Sequence, residues 1–277
     1  MDMASVLQIA EVFGQDVKQT SLLPRAKRDS KWCPFRKSSC TKGGKNEPLG
    51  ICSFGDASRA TTVCPVRFRE GNRLFVDVGR LAFGTGMRVI AVPEFRLLRI
   101  PETKRKIGKI DYLLARLDDE GIPADFAALE VQSVYVSGKS IKPAFNEFLE
   151  TGALTSGSSR RPDFRSSAQK RLMPQLTLKV PVFRRWGKRF FVAVDEMFFD
   201  AMPAMKTVSP DNAEVTWLVY PFTRAKKGGY SLGEPKIACT LWDDVLMALR
   251  EGEAPERAEV FAELASKRNR ERTVFVT

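Results

Sequence analysis

The sequence predicts an α/β protein, a mixed sheet flanked by helices, preceded by a small module built on four cysteines. Three observations carry this expectation. Strand-like and helix-like apolar runs alternate along most of the chain. Four of the five cysteines fall within residues 33–64, in a Lys-, Gly- and Ser-rich stretch too polar to core itself. Two apolar strand-like runs, 110–114 and 127–135, each carry a carboxylate across an acidic turn. The expected organisation is an N-terminal helix and four-cysteine module over 1–70, then a larger domain over 71–277.

The elements follow in order. Residues 6–13 have helical apolar spacing, with Gly14 as the expected C-cap. A basic, proline-broken segment follows, Pro24 to Arg28, and then the cysteines. Residues 67–83 read as a helix with an apolar stripe of Leu74, Phe75, Val78, Leu81 and Ala82, ended by Gly84. Residues 87–92 are β-rich, and the two acidic strands come next. A helix is expected over 141–149, then a basic loop over 155–162 that reads as a phosphate contact or a solvated linker.

Residues 166–179 predict a helix, with Leu172 and Leu176 facing inward and Lys170 and Arg171 off that face. Pro174 is expected to kink or split it, and Pro181 to bar its continuation. Arg184, Arg185, Lys188 and Arg189 lead into a strand over 190–194. A short helix over 196–202, a strand over 215–222 and a basic turn over 226–229 continue the alternation. Helices over 241–249 and 258–265 and an edge strand over 273–276 complete it. Cys239, in a strand-like run, reads as packing.

Composition narrows the function. The chain has 277 residues, a net charge of +12 and a pI of about 9.6, which favours a polyanionic partner such as nucleic acid. No apolar run reaches the ~18 residues of a membrane span, and the first residues do not read as a signal peptide. A cytoplasmic protein that meets nucleic acid is the expectation. Histidine is absent, which excludes His triads, His general bases and His metal ligands.

The second acidic strand alternates, so Glu130 and Gln132 share one face. With the two strands adjacent, Asp111 stands alongside Glu130. Two carboxylates in apolar strands are costly to bury unless a cation lies between them, and magnesium suits such oxygen ligands. Cys33, Cys40, Cys52 and Cys64 fit a tetrahedral thiolate site for zinc or iron, or four ordinary buried thiols. Arg160, Arg161, Lys170 and Arg171, with Arg36 and Lys42 from the cysteine module, are the candidate DNA contacts.

These residues resemble the NotI family of type II restriction endonucleases. Glu11-Val12-Phe13-Gly14 resembles its N-terminal motif. Cys33-Pro34-Phe35, Cys40, Gly50-Ile51-Cys52 and Val63-Cys64-Pro65-Val66-Arg67 resemble its four-cysteine iron module. Asp111 and Leu129-Glu130-Val131-Gln132 resemble its catalytic strands, and Trp217-Leu218-Val219 and residues 241–251 its C-terminal strand and helix. The resemblance implies a PD-(D/E)XK nuclease core with Asp111, Glu130 and Gln132 as catalytic residues. It implies Mg2+ as the catalytic metal, iron on the four cysteines, and double-stranded DNA as substrate. Palindromic sites imply a homodimer. Gln132 replaces the usual lysine of the wider pattern, and Lys139 or Lys142 is a candidate to supply the missing charge.

Overall fold

A computed structural model describes residues 7–18, 29–44, 48–99, 102–137, 141–151, 161–225, 229–250 and 255–266. The expectations over 155–160 and 273–276, with Lys139, Arg160, Lys226 and Lys227, lie outside these residues.

The first expectation to change is the N-terminal helix. Residues Gln8–Val12 form strand β1, which turns back into β2 (Gln15–Asp16). The two loop residues, Phe13 and Gly14, both have positive φ, 50° and 72°. Left-handed backbone at both loop positions matches the strand twist of a two-residue hairpin. Ile9, Ala10, Val12 and Phe13 are all buried, so the run is apolar on both faces. A short run of this kind fits helical and strand spacing alike.

Short strands β3 (Trp32–Cys33) and β4 (Ser38–Ser39) make a hairpin in the cysteine segment. Strands β5 (Ile51–Gly55) and β6 (Ala60–Thr62) join the first hairpin in a sheet of order β2-β1-β5-β6. A 3-10 segment, Pro65–Asn72, precedes helix α1 (Arg73–Phe83), so the helix starts later than its apolar spacing alone predicts. Glu70 and Gly71 leave helical geometry at the kink between them.

The main sheet is built from β7 (Val89–Arg99), β8 (Lys106–Leu117), β9 (Pro123–Val131), β12 (Phe190–Asp195), β13 (Val215–Tyr220) and β16 (Lys236–Thr240). Its order is β16-β13-β12-β9-β8-β7. The central pairs β9–β12 and β12–β13 are parallel, and the outer pairs are antiparallel. Phe190–Asp195 and Val215–Tyr220 are buried along their whole length, as expected of central strands covered on both faces. Two small two-stranded sheets lie outside this sheet. One pairs β10 (Tyr135–Ser137) with β11 (Arg161–Asp163), the other β14 (Phe222–Arg224) with β15 (Tyr230–Leu232).

Helix α1 covers one face through Leu74 and Val78, packed with Leu129, Val131 and Phe191. Helix α2 (Lys142–Thr151) packs Phe145 and Phe148 on the cysteine segment and β1. The opposite face of the main sheet is covered by one continuous helical stretch. It opens with a helical turn at Phe164–Ser166, widens to a π-helix at Ser167–Leu172 and continues as helix α3 (Met173–Arg185). Pro174 sits at the start of α3 and does not split it. Pro181 lies inside α3, against expectation. Both Pro181 and Thr177, whose carbonyl loses its N–H partner, face solvent, so water can meet the freed group. Leu172, Leu176, Val180 and Phe183 are each at most 1% exposed, and their burial outweighs the proline penalty. Helix α4 (Glu196–Asp200), α5 (Trp242–Arg250) and α6 (Arg257–Ser266) follow the sequence reading to within a residue or two. The fold is a mixed α/β sheet with helices on both faces.

The N-terminal segment is locked to the main sheet by polar contacts. Asp195, fully buried at the end of β12, accepts from Thr61 Oγ1 at 3.0 Å, Thr62 N–H at 2.9 Å and Thr62 Oγ1 at 2.8 Å. It also caps α4 through Phe198 N–H at 3.0 Å. Arg67 is 1% exposed and donates to Glu11 Oε2 at 3.0 Å, Glu70 Oε2 at 2.8 Å and the Tyr230 carbonyl at 2.7 Å. The described residues of the N-terminal segment and the larger sheet therefore share buried polar anchors as well as apolar packing.

Candidate active site

Strands β8 and β9 are antiparallel neighbours, with Tyr112 opposite Leu129. The next positions outward are Asp111 and Glu130, so the two sequence-predicted carboxylates meet. Val131 N–H donates to Asp111 Oδ2 at 2.9 Å, and Asp111 N–H approaches Glu130 Oε1 at 3.4 Å. Asp111 is half-buried, while Glu130 is only 2% exposed. Burial pushes the Glu130 carboxyl up to about 8, Asp111's negative charge adds to the rise, and Lys179 opposes it.

Gln132 lies just past the end of β9. Its backbone N–H donates to the Ala193 carbonyl at 3.0 Å, which ties this turn to the parallel strand β12. Its side-chain Nε2 donates to the Ser133 carbonyl at 2.5 Å. That bond orients the amide and leaves its Oε1 as an acceptor. Asp111, Glu130 and Gln132 are thus gathered at the carboxyl end of β9.

A fourth residue joins them that the sequence reading did not single out. Lys179, from α3, places Nζ 2.5 Å from Glu130 Oε1 and is 4% exposed. Gln175, one turn earlier, accepts from the same ammonium at 3.0 Å. The cation beside the carboxylates therefore comes from the covering helix. Lys142 instead starts α2 and lines a cleft with Lys31, Pro48, Leu49 and Phe145. The sequence does carry a signal for Lys179. Leu176, Lys179, Val180 and Phe183 have the i, i+3, i+4, i+7 spacing of one helix face, and a lysine on an apolar face needs a buried partner.

Other cations stand nearby. Arg36 and Arg69 both act electrostatically on the Tyr112 hydroxyl, as does Asp111. Arg36 is exposed, and Arg69 has a buried Nε without a hydrogen-bond partner among the described residues. Arg171 stacks over the Tyr135 ring at 4.1 Å, and Lys170, Arg171 and Arg161 are exposed. Lys42 does not present an exposed charge. It is half-buried near Cys40, Cys52 and Cys64, whose thiolate forms would favour its charge while desolvation lowers its pKa.

Cys33, Cys40, Cys52 and Cys64 are all free and buried. Gly14 N–H donates to Cys52 Sγ at 3.3 Å, and the backbone of Phe35 and Arg36 donates to Cys33. Gly14 is needed here, because a Cβ on it would lie 2.4 Å from Pro34 Cγ. Burial raises the Cys33 and Cys52 thiols, and Cys64 acts electrostatically on both. Four thiols thus share one neighbourhood, a donor set that suits a soft or borderline metal. Among the described residues, no group of three or more Cys, Asp or Glu side chains is arranged to hold a metal ion as it stands.

No helix among the described residues is long and apolar enough to cross a membrane. No curated protein and no solved structure matches the chain. A family model described as restriction endonuclease NotI matches residues 11–232, a span that holds the four cysteines, the paired carboxylates, Gln132 and Lys179. The chain belongs to the NotI restriction endonuclease family.

Proposed function

We propose that the protein is a Mg2+-dependent, site-specific endonuclease of double-stranded DNA, with a PD-(D/E)XK-type centre formed by Asp111, Glu130, Gln132 and Lys179. The observation that carries this reading is the meeting of Asp111 with Glu130 on adjacent strands, with an ammonium 2.5 Å from the more buried carboxylate. Family membership supports the DNA endonuclease class.

The donor set fits magnesium. Two carboxylates and an amide are hard oxygen ligands, and the Glu130 carboxyl, pushed up by burial first and by Asp111's charge second, is one whose ionised form a further cation would favour. Asp111 and Glu130 would hold the ion. Mg2+ bound there supplies Lewis-acid polarisation of the phosphate and acidification of water.

The chain's own groups do the rest. Lys179 favours the ionised form of Glu130 and keeps positive charge beside the paired carboxylates. Gln132, its amide fixed through Ser133, offers Oε1 to align a water molecule. Hydrolysis forms one P–O bond from that water and breaks one in the DNA backbone. Arg36, Arg69, Lys170 and Arg171 neutralise neighbouring phosphates. A palindromic site presents two equivalent strands, so the proposed acting form is a homodimer.

We also read Cys33, Cys40, Cys52 and Cys64 as a structural metal site, of iron by family resemblance or of zinc. Four thiolates leave no open position for substrate, so this site shapes the N-terminal segment rather than performing hydrolysis.

The test is digestion of unmethylated phage and plasmid DNA with Mg2+, against EDTA and a Glu130→Ala variant. Discrete fragments that need Mg2+ and vanish in the variant are expected. A smear would remove the site-specific reading, and equal cutting by the variant would remove the assigned centre.

A further inference from the structure

Strands β7 and β8 are longer than the sheet they belong to. Their pairing runs from Val89–Arg116 out to Arg99–Lys106. Strand β9 accompanies β8 only as far as Tyr112. Beyond that point the two strands continue as a two-stranded antiparallel ribbon, with no third strand beside it among the described residues. Asp111 and Lys106 are five positions apart, a reach of roughly 17 Å at ~3.4 Å per residue.

The backbone turns left-handed at two positions where the ribbon leaves the sheet. Glu94, between Pro93 and Phe95 and so opposite Asp111 in the register, has φ 57°. Gly108, on the facing strand, has φ 66°. Left-handed backbone at a non-glycine residue inside a strand costs about 1–2 kcal/mol and persists only where its surroundings impose it. Leu97 and Ile110 pack on the main core, so the base of the ribbon is anchored while its outer part projects.

The charge of this segment is one-sided. Residues 94–109 contain six Lys or Arg (Arg96, Arg99, Lys104, Arg105, Lys106, Lys109) against Glu94 and Glu102. Arg96, Lys104, Arg105 and Lys109 are exposed. Arg96 and Lys109 are cross-strand partners, and Lys109 is also held by Glu94 at 2.8 Å. Like charges opposed across a strand pair are destabilising in isolation, so this placement favours a polyanion bound against it.

We propose that the β7–β8 ribbon is a DNA-reading arm that enters the major groove beside the cleavage site. The inference rests on the nuclease reading of Asp111. The major groove is about 12 Å wide and admits a two-stranded ribbon, and its walls are phosphates that Arg96, Lys104 and Arg105 would meet. Because Asp111 lies at the root of the arm, seating the arm fixes the distance between the base pairs it touches and the phosphate at the carboxylates. The arm is therefore a specificity-determining element and adds affinity.

The experiment compares the parent with Arg96→Ala/Lys104→Ala/Arg105→Ala and with the charge-keeping Arg96→Lys/Lys104→Arg/Arg105→Lys. Binding to a 30-base-pair duplex, in EDTA, is followed by fluorescence anisotropy across a salt series. Each lost phosphate contact flattens the slope of log K against log salt by about 0.9, so the alanine variant should lose roughly two to three units of slope. The charge-keeping variant should retain the parent slope. Dimethyl sulfate protection of guanine N7 should be lost at the base pairs covered by the arm in the alanine variant. An unchanged slope overturns the proposal. A flatter slope with unchanged N7 protection also overturns it, because the arm would then touch backbone and not groove. The parent's Mg2+-dependent cleavage is scored separately. If the parent does not cut but the alanine variant loses slope and N7 protection, the nuclease reading fails and the arm stands.

Discussion

The Lys179 ammonium lies 2.5 Å from Oε1 of Glu130, and both side chains are almost sealed from solvent. A buried pair of this kind contributes little net stability, because desolvation offsets most of the attraction. Removing one partner is a different matter, since it strands the other.

Lys179→Met keeps the volume and deletes the charge. Glu130 would then face Asp111 with no cation to favour its ionised form, and its pKa would move further above the parent's value of about 8. Single-turnover cleavage at pH 7 is expected to fall by about 100-fold or more. DNA binding in EDTA should stay within about twofold of the parent, because Lys179 is buried away from the phosphates. Part of the lost rate should return at pH 9, where Glu130 can ionise without help. Cleavage within threefold of the parent at pH 7 would show that the pair is structural only.

The pH dependence of folding follows from the same carboxyl. Its folded pKa, about 8, lies above the ordinary 4.5, with burial the main cause and Asp111 the second. Between these values the folded chain holds a proton that the unfolded chain has lost. The stability this provides is complete below 4.5 and is lost as pH rises towards 8. Other buried carboxyls, Glu11 and Asp195, are also raised by burial and slope the same way, so the difference against Glu130→Gln isolates the contribution of Glu130. In EDTA, the melting temperature of the parent minus that of Glu130→Gln should fall steadily from roughly pH 5 to pH 8. Added Mg2+ should raise the parent's melting temperature more at pH 8 than at pH 6, because the ion competes with that proton. A flat difference would mean that Glu130 is already ionised.

Much of this site was legible in the sequence because its signals are local. Glu130 and Gln132 share a face by strand alternation, and the acidic turn at 118–120 brings Asp111 back beside them. Lys179 was missed for two reasons. Pro181 argued for a helix that stops short, and nothing near residue 130 in the sequence points to a partner 49 positions away. The same holds for Asp195 with Thr61 and Thr62, and for Arg67 with Glu11, whose pairings depend on how distant strands come together. The N-terminal strand was misread because a buried hairpin and a buried helix look alike over so few apolar residues.

Asp195 supports a stability prediction. Asp195→Ala removes the acceptor for Thr61 Oγ1, Thr62 N–H, Thr62 Oγ1 and Phe198 N–H, all in the dry interior. Leaving one buried donor unmet costs about 1–3 kcal/mol, and the four share one site, so a total of about 3–5 kcal/mol is expected. Urea denaturation followed by tryptophan fluorescence would measure it. The β6–β12 contact should loosen first, with faster hydrogen exchange at Thr62 than at Val192. A loss under 1 kcal/mol would show that water can replace the carboxylate there.

The four cysteines yield the last prediction. Burial raises the thiols of Cys33 and Cys52, so without metal they remain protonated at neutral pH. A metal must displace those protons, and its binding free energy then adds to the folding free energy of the segment. Metal analysis of the purified protein should find one iron or zinc beyond any Mg2+. Iron would announce itself by visible absorbance, whereas zinc would be colourless. Cys52→Ser should lose that metal and lower the melting temperature, while Cys239→Ser, changed on β16 in the main sheet, should keep it. Both cysteines are buried, so a general effect of thiol loss would strike the two variants alike. Equal metal content in Cys52→Ser and the parent would show that the thiols are packing groups, and the N-terminal segment would then rest on its apolar packing with the Arg67 and Asp195 anchors.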